Sequence, residues 1–247
     1  MAEGPARSIW LRPERAARGP APEYSRSRIA AAGIALADAD GLGAVTMRAV
    51  AEALGTGPAS LYRYVATRSE LIELMVNEVN GEMDLAASGT GHWLQDLLIL
   101  ARQSRDVYLR HPWLLDAGGL DGPIGPNAVD YLEHALAALS GVDVDPRTKL
   151  EAIGVLSGLV SLLVRAEIAQ GTHGRTLPQW QQDQTVYLRE VVTAGRHPHL
   201  AAALATRPPE ADPVEPLFDR VVARVLTGLL QPDAGAVERT GVSALPP

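Results

Sequence analysis

Apolar residues in this chain recur at helical rather than alternating spacing. Ile29, Ala32, Gly33, Leu36 and Ala37 fall at i, i+3, i+4, i+7 and i+8, the stripe of an amphipathic helix. Asp40-Gly41-Leu42-Gly43 ends that helix. Thr46 is placed to cap a second, short helix carrying Met47, Val50, Ala51 and Leu54, and Gly55 sits where a left-handed C-terminal turn is wanted. Pro58 suits the first turn of a third helix, where its missing N–H would be unpaired anyway. Leu61 and Val65 then point inward and leave Ser60, Arg63 and Tyr64 outward. A fourth helix starts at Arg68, carries Leu71, Leu74, Met75, Val79 and Met83, and fades into the breakers of residues 87–91.

Longer helical patterns follow at Trp93 to Arg110, Asn127 to Leu139, Asp145 to Gln170, Gln179 to Thr193 and Val214 to Leu230, separated by Gly and Pro clusters. No alternating strand pattern of useful length and no fixed repeat is present. The expected fold is all-α, with a small helical head before a larger helical body. The division expected is a basic, mobile arm at 1–23, a head at 24–70, a body at 71–235 and a flexible tail at 236–247.

Composition supports this reading. Hydrophobic residues make up 47% of the 247 but aromatics only 4%, with a single Phe, so the core must be built from Leu, Val, Ile and Ala, a mixture that favours helices. The absence of Cys excludes disulfides and thiolate chemistry and fits a reducing, cytoplasmic setting. Met1 to Tyr24 is rich in Arg, Pro and Ala and lacks an apolar signal core. The nearly uncharged run from Ala152 to Val164 is shorter than the ~20 residues that span a bilayer, and reads as a buried helix. Net charge is −7, yet residues 1–70 carry nine Arg against seven acids. A mildly basic head on an acidic body fits a nucleic-acid reader whose body faces elsewhere.

Three short helices with a tight Gly turn between the second and third form a helix-turn-helix, whose last helix enters the major groove. Inward positions must be apolar so that the pair packs at a fixed angle, and the outer face needs polar, basic and aromatic groups for base edges and phosphates. A helical hairpin with no DNA role has the same periodicity. The run TMRAVAEALG at 46–55, followed by PASLYRYVATRSEL at 58–71, resembles the head of the tetracycline-repressor family. The likeness runs from Ser25 to about Met75 and includes the family's Leu-Tyr-x-x-Val/Phe-x-x-Lys/Arg-x-x-Leu signature.

That resemblance implies DNA contacts by Thr46 and Arg48 at the start of the second helix and by Pro58, Ala59, Ser60, Tyr62, Arg63 and Tyr64 on the recognition helix. Tyr62 matches a phosphate-contacting tyrosine, with packing between helices as its alternative role. Arg68 stands where the family usually has Lys and is expected to hold phosphate. Thr56-Gly57 and Ala59 depart from the longer side chains common at this entry, which shifts base readout to Ser60, Arg63 and Tyr64.

In the body, Gly154, Ser157, Gly158 and Ser161 share one helix face that lets another helix approach closely. The last helix is apolar around most of its circumference and must bury two faces. It resembles the final helix of the tetracycline-repressor branch, which implies a homodimer interface built from those small residues with Phe218, Val221, Val222, Val225 and Leu229. A dimer would read a near-palindromic double-stranded operator. Trp93, Arg110-His-Pro-Trp113 and Gly125-Pro-Asn127 extend the likeness. They imply a small-molecule cavity lined by Leu100, Gln103, Ser104, Val107, His111, Leu114, Tyr131, His134 and Leu156. His111, just before Pro at a helix end, either meets terminal carbonyls or bonds a ligand.

Residues 114–120 contain no His, which argues against a tetracycline-magnesium effector. His197 and His199 have neither carboxylate nor Cys neighbours, so no metal or other cofactor is expected. No phosphate-cradling Gly loop, Gly-x-Ser-x-Gly turn or zinc-spaced His/Glu set occurs, and no catalytic residue is expected. The expected function is a repressor released from its operator by a small molecule, with an effector-independent activator or architectural DNA binder as the alternative.

Overall fold

In a computed structural model the described residues are 8–12, 24–118, 124–172, 186–188, 190–193, 196–205 and 217–231, and among them there are helices and turns but no strand. The head comprises α1 (Arg26–Asp40), α2 (Met47–Ala53), α3 (Pro58–Leu61) and the start of α4 (Arg68–Asn80). The body continues with α5 (Trp93–Arg110), α6 (Pro126–Ala138), α7 (Pro146–Thr172), α8 (Pro198–Ala205) and α9 (Leu217–Leu230). Residues 186–188 and 190–193 are helical too, within the expected Gln179 to Thr193 helix, whose first residues lie outside the described set.

Each helix of the head begins as its sequence dictates. Ser25, Thr46 and Thr67 cap α1, α2 and α4 through side-chain oxygens that accept from Arg28, Ala49 and Glu70 N–H. Gly55 has φ of 70°, the left-handed turn that lets α2 fold back on α3. α1 buries Ile29, Ala30, Gly33 and Ala37, while Ala32 and Leu36 are half-buried, so the buried face is rotated slightly from the expected stripe. A methyl on Gly33 would come within 2.7 Å of Met75 Sδ, so glycine permits the close approach of α1 to α4. α4 ends at Asn80; Met83 is buried beyond its last turn.

α4 packs on α1 at one end and on α6 further along, which makes it common to head and body. The body core is set by α5, whose Leu97, Leu100, Ala101, Val107 and Tyr108 are buried where it packs on α7 and α9. Ala152, Ile153, Leu156, Val160 and Val164 supply the α7 side, and Val222, Leu226 and Leu230 the α9 side. Each fully buried Leu or Val contributes roughly 1.5–3 kcal/mol of apolar transfer. Two bidentate pairs lock the edges: Arg102 donates to Asp219 at 3.0 and 2.9 Å, and Arg105 to Glu167 at 3.0 and 2.6 Å.

α7 follows the helix expected from Asp145 to Gln170 and holds the apolar run of Ala152 to Val164 within it. Over Pro146–Ala169 it is long and apolar enough by length and composition to cross a membrane, and its apolar 18-residue stretch has a mean hydropathy of 1.8. Its inner positions nonetheless serve the core of the body, and its outer positions form an open face.

Residues 8–12 correct the expectation of a wholly mobile arm. They form a 3-10 turn with Ile9 only 1% exposed, and Arg26 donates to the carbonyls of Ile9 (2.9 Å) and Arg12 (3.0 Å). The short apolar Ile9-Trp10 pair within an otherwise polar stretch supplies the anchoring.

Candidate nucleic-acid interface and apolar cavity

Leu61 and Val65 are fully buried and fix the recognition segment on the head core. Pro58, Ala59, Tyr62 and Arg63 are exposed on its outer face, as are Thr46 and Arg48 at the start of α2. Tyr62 is 53% exposed, so it is not consumed by interhelical packing. Regular α-helix ends at Leu61, but the Val65 N–H still reaches the Leu61 carbonyl at 3.0 Å, which carries the helical course onward.

Two expected DNA residues are placed differently. Tyr64 is half-buried, its ring edge-on to Tyr24 with centroids 6.5 Å apart. Tyr24 in turn donates to the Leu54 carbonyl at 3.4 Å and lies under the Arg28 guanidinium. Tyr64 thus helps clamp the turn instead of standing free for bases. Arg68 donates to the carbonyls of Val45 (2.6 Å) and Leu42 (2.7 Å) and ties the start of α4 to the loop before α2. Its first task is to hold that loop, although the side chain stays exposed.

Glu70 was not anticipated as part of this site. Its Oε2 accepts from Ala66 N–H at 2.7 Å and from Arg12 at 2.5 Å, so it secures the exit of the recognition segment. The Thr67-x-x-Glu70 spacing is the sequence signal for such a capping arrangement.

In the body a cavity of about 210 Å³ lies among α4, α6 and α7. Its walls are Asn80, Met83, Ile124, Ala128, Tyr131, Leu132, Leu150, Ile153, Gly154 and Ser157, without a charged side chain. Of the expected ligand set only Tyr131 lies on it. Leu100, Ser104, Val107, Leu114 and Leu156 are buried core residues, with Ser104 donating back to the Leu100 carbonyl at 2.9 Å. Gln103 donates to the Asp84 carbonyl at 2.9 Å. His134 is exposed, donates from Nδ1 to the Asp130 carbonyl at 2.8 Å, and borders a more polar hollow with Trp93 and Asp96. The cavity has no wall on α5, and periodicity alone does not reveal which sides of that helix are filled by neighbours.

His111 takes neither expected role. It is 5% exposed, with Nδ1 2.7 Å from Asp38 Oδ1 and Nε2 3.2 Å from Glu82 Oε1. Trp113 Nε1 also donates to Asp38 Oδ1 at 2.7 Å, and Arg110 pairs with Glu82. The cluster joins α1 to the turn after α5. Among the described residues no group of His and carboxylates is arranged to hold a metal ion.

The small-residue face of α7 divides. Gly154 and Ser157 line the cavity, while a methyl added at Gly154, Gly158 or Gly228 would touch nothing within 4 Å. Ser161, Val221 and Val225 are half-buried, Leu229 is 37% exposed, and Phe218 is half-buried below the Arg105 guanidinium. Val222 is fully buried inside the single chain, which corrects its assignment to a partner-facing surface. Leu162 is 64% exposed on the open side of α7, although neighbouring positions of the same helix enter the core.

The family described as "Tetracyclin repressor-like, C-terminal domain" matches residues 85–232, and "Bacterial regulatory proteins, tetR family" matches residues 29–75. The "HTH-type transcriptional repressor DrrR1" of Streptomyces coeruleorubidus is 32% identical over 244 residues, 96% of this chain and 87% of the relative. An "HTH-type transcriptional regulator" of Saccharopolyspora erythraea is 31% identical over 67% of this chain and 70% of its own. Among solved structures, the Streptomyces coelicolor protein ActR in complex with actinorhodin has a TM-score of 0.68 at 25% identity, covering 84% of this chain and 96% of that one. With its head and body both matched and its recognition segment exposed on the outer face, the chain belongs to the tetR family of bacterial regulatory proteins and is a DNA-binding transcription regulator.

Proposed function

We propose that the chain is a cytoplasmic homodimeric repressor that leaves a near-palindromic operator when a neutral, largely apolar small molecule enters the cavity among α4, α6 and α7. The observation that carries this reading is α4 itself. Its first turn holds the recognition segment through Glu70, and Asn80 at its last residue, with Met83 just beyond, walls the cavity. At ~1.5 Å per residue it is a short, stiff link. An occupant that shifts the end of α4 shifts the start as well, and two recognition segments related by a dyad then no longer match half-sites ~34 Å apart.

The uncharged walls favour a ligand without a formal charge, since a buried ion would lack a partner. The actinorhodin complex of ActR supports a small-molecule occupant of this body type. The open outer faces of α7 and α9 supply the surface on which a second copy would close. A hundredfold release corresponds to about 2.7 kcal/mol of coupling, and the ligand must prefer the conformer that does not bind DNA by that amount.

The test is selection of bound duplexes from a random pool at several salt concentrations, followed by titration of the selected duplex with neutral polycyclic compounds. A palindrome whose complex is dissociated by one of them supports the proposal. Motif-free, salt-sensitive binding would favour an architectural role, and a palindrome indifferent to every compound that binds the body would favour effector-independent regulation.

A further inference from the structure

We propose that residues 8–12 form a strap between the cavity and the recognition segment, with Arg12 a positioning residue for the head and Trp10 its contact at the cavity wall. The inference rests on the DNA-binding and cavity readings above and adds a second connection beside α4.

At the head end, Arg12 Nη2 is 2.5 Å from Glu70 Oε2, the same oxygen that accepts the Ala66 N–H at the exit of the recognition segment. Arg12 therefore orients the acceptor that holds that exit. Glu73 lies close by on α4: burial and then the Glu70 charge raise its carboxyl above the ordinary range, while Arg12 lowers it. Without the arginine, the Glu70 and Glu73 carboxylates would repel each other with no guanidinium to offset them.

At the body end, a methyl on Gly125 would come within 2.8 Å of Trp10 Cζ2 and would also meet Asn77. Gly125 is the N-cap of α6, between Ile124 and Ala128, which both line the cavity. The indole thus rests on the backbone that forms one wall. Asn127 reinforces this point by donating its backbone and side-chain N–H groups to Asn77 of α4, at 2.9 and 2.7 Å.

The strap is anchored but not fully satisfied. Ile9 is buried and Arg26 holds two of the strap's carbonyls, yet among the described residues Trp10 Nε1 and Arg12 Nε are buried without a hydrogen-bond partner. Those unpaired donors keep the docked state from being deeply stabilised, as a releasable element requires. An occupant that pushes on residues 124–128 displaces Trp10, loosens Arg12 from Glu70 and frees the exit of the recognition segment.

The experiment compares amide hydrogen exchange in the full-length chain for the wild type, Arg12→Ala, Arg12→Lys and two cavity-filling variants, Ala128→Phe and Ser157→Phe. Arg12→Ala is expected to accelerate exchange over residues 58–66 about fivefold, to leave α5 and α7 unchanged, and to weaken binding to the selected duplex about fivefold. Arg12→Lys should restore most of both. At least one folded cavity-filled variant should accelerate exchange over residues 8–12. Unchanged exchange at 58–66 in Arg12→Ala, uniform acceleration that includes α5 and α7, or protected 8–12 amides in both cavity-filled variants would each overturn the strap. A wild type that selects no duplex defeats the DNA reading instead, and the exchange measurements still decide the strap.

Discussion

His111 Nδ1 lies 2.7 Å from Asp38 Oδ1, a contact that joins the turn after α5 to the last turn of α1 across 73 residues of sequence. Because Trp113 Nε1 donates to the same carboxylate oxygen, one side chain of the head satisfies two buried groups of the body. Asp38→Ala strands both, and leaving buried donors unpaired costs about 1–3 kcal/mol each. Urea unfolding should show a loss of about 2 kcal/mol, with Asp38→Asn retaining part of it through its remaining acceptor.

Arg63 is exposed on the recognition segment and its only described bond is a weak 3.5 Å contact to the Ser60 carbonyl. Arg63→Ala should leave the melting temperature within a degree or so of wild type. Affinity for the selected duplex should fall by about 1–3 kcal/mol, with a smaller loss on random DNA. Equal losses on both, measured by fluorescence anisotropy, would assign Arg63 to phosphate alone.

Leu162 stands 64% exposed on the open side of α7. Leu162→Arg places a charge where a second copy would close, and sedimentation should show a shift toward monomer with the helical content unchanged. A wild-type chain that sediments as a monomer at micromolar concentration would remove the proposed dimer.

Asp96 is buried at the start of α5, where its Oδ1 accepts from the N–H groups of Gly89 (2.9 Å) and Thr90 (2.8 Å). Burial acts to raise its carboxyl, but hydrogen bonds from Gly89, Thr90 and Gly91 outweigh it and hold the group below the ordinary aspartate range. Its stabilisation is therefore fully present above the unfolded value and is lost as pH falls through the lower, folded one. Asp96→Asn should reduce stability at neutral pH and flatten the acid limb of a stability-against-pH curve.

Arg102 and Asp219 hold α9 to α5, with the carboxylate side chain 8% exposed and the arginine 47%. Removing the arginine strands a buried charge, but its partial solvent contact reduces the cost below that of a fully buried pair. Arg102→Ala should destabilise by about 2 kcal/mol in urea, and Arg102→Ala with Asp219→Asn should recover part of that loss.

The sequence by itself determined the helices and the head. A 3.6-residue apolar period, capping by Thr46, the left-handed Gly55 and Pro58 at a first turn are local properties, carried by residues a few positions apart. The exposure of Arg63 follows from Leu61 and Val65 pointing inward and was legible for the same reason, whereas Ser60 and Tyr64, expected outward on the same pattern, are half-buried. Only the tertiary structure decided which faces of α5, α6 and α7 meet one another. Leu100 and Tyr131 both lie on the apolar face of a helix, yet one fills the core and the other walls a cavity, because the difference lies in the shape left between three helices. The same holds for His111 with Asp38, Arg68 with Val45 and Arg12 with Glu70. Each pair is assembled from residues at least 23 positions apart, and charge, unlike periodicity, gives no sign along the chain of which partner packing will bring near.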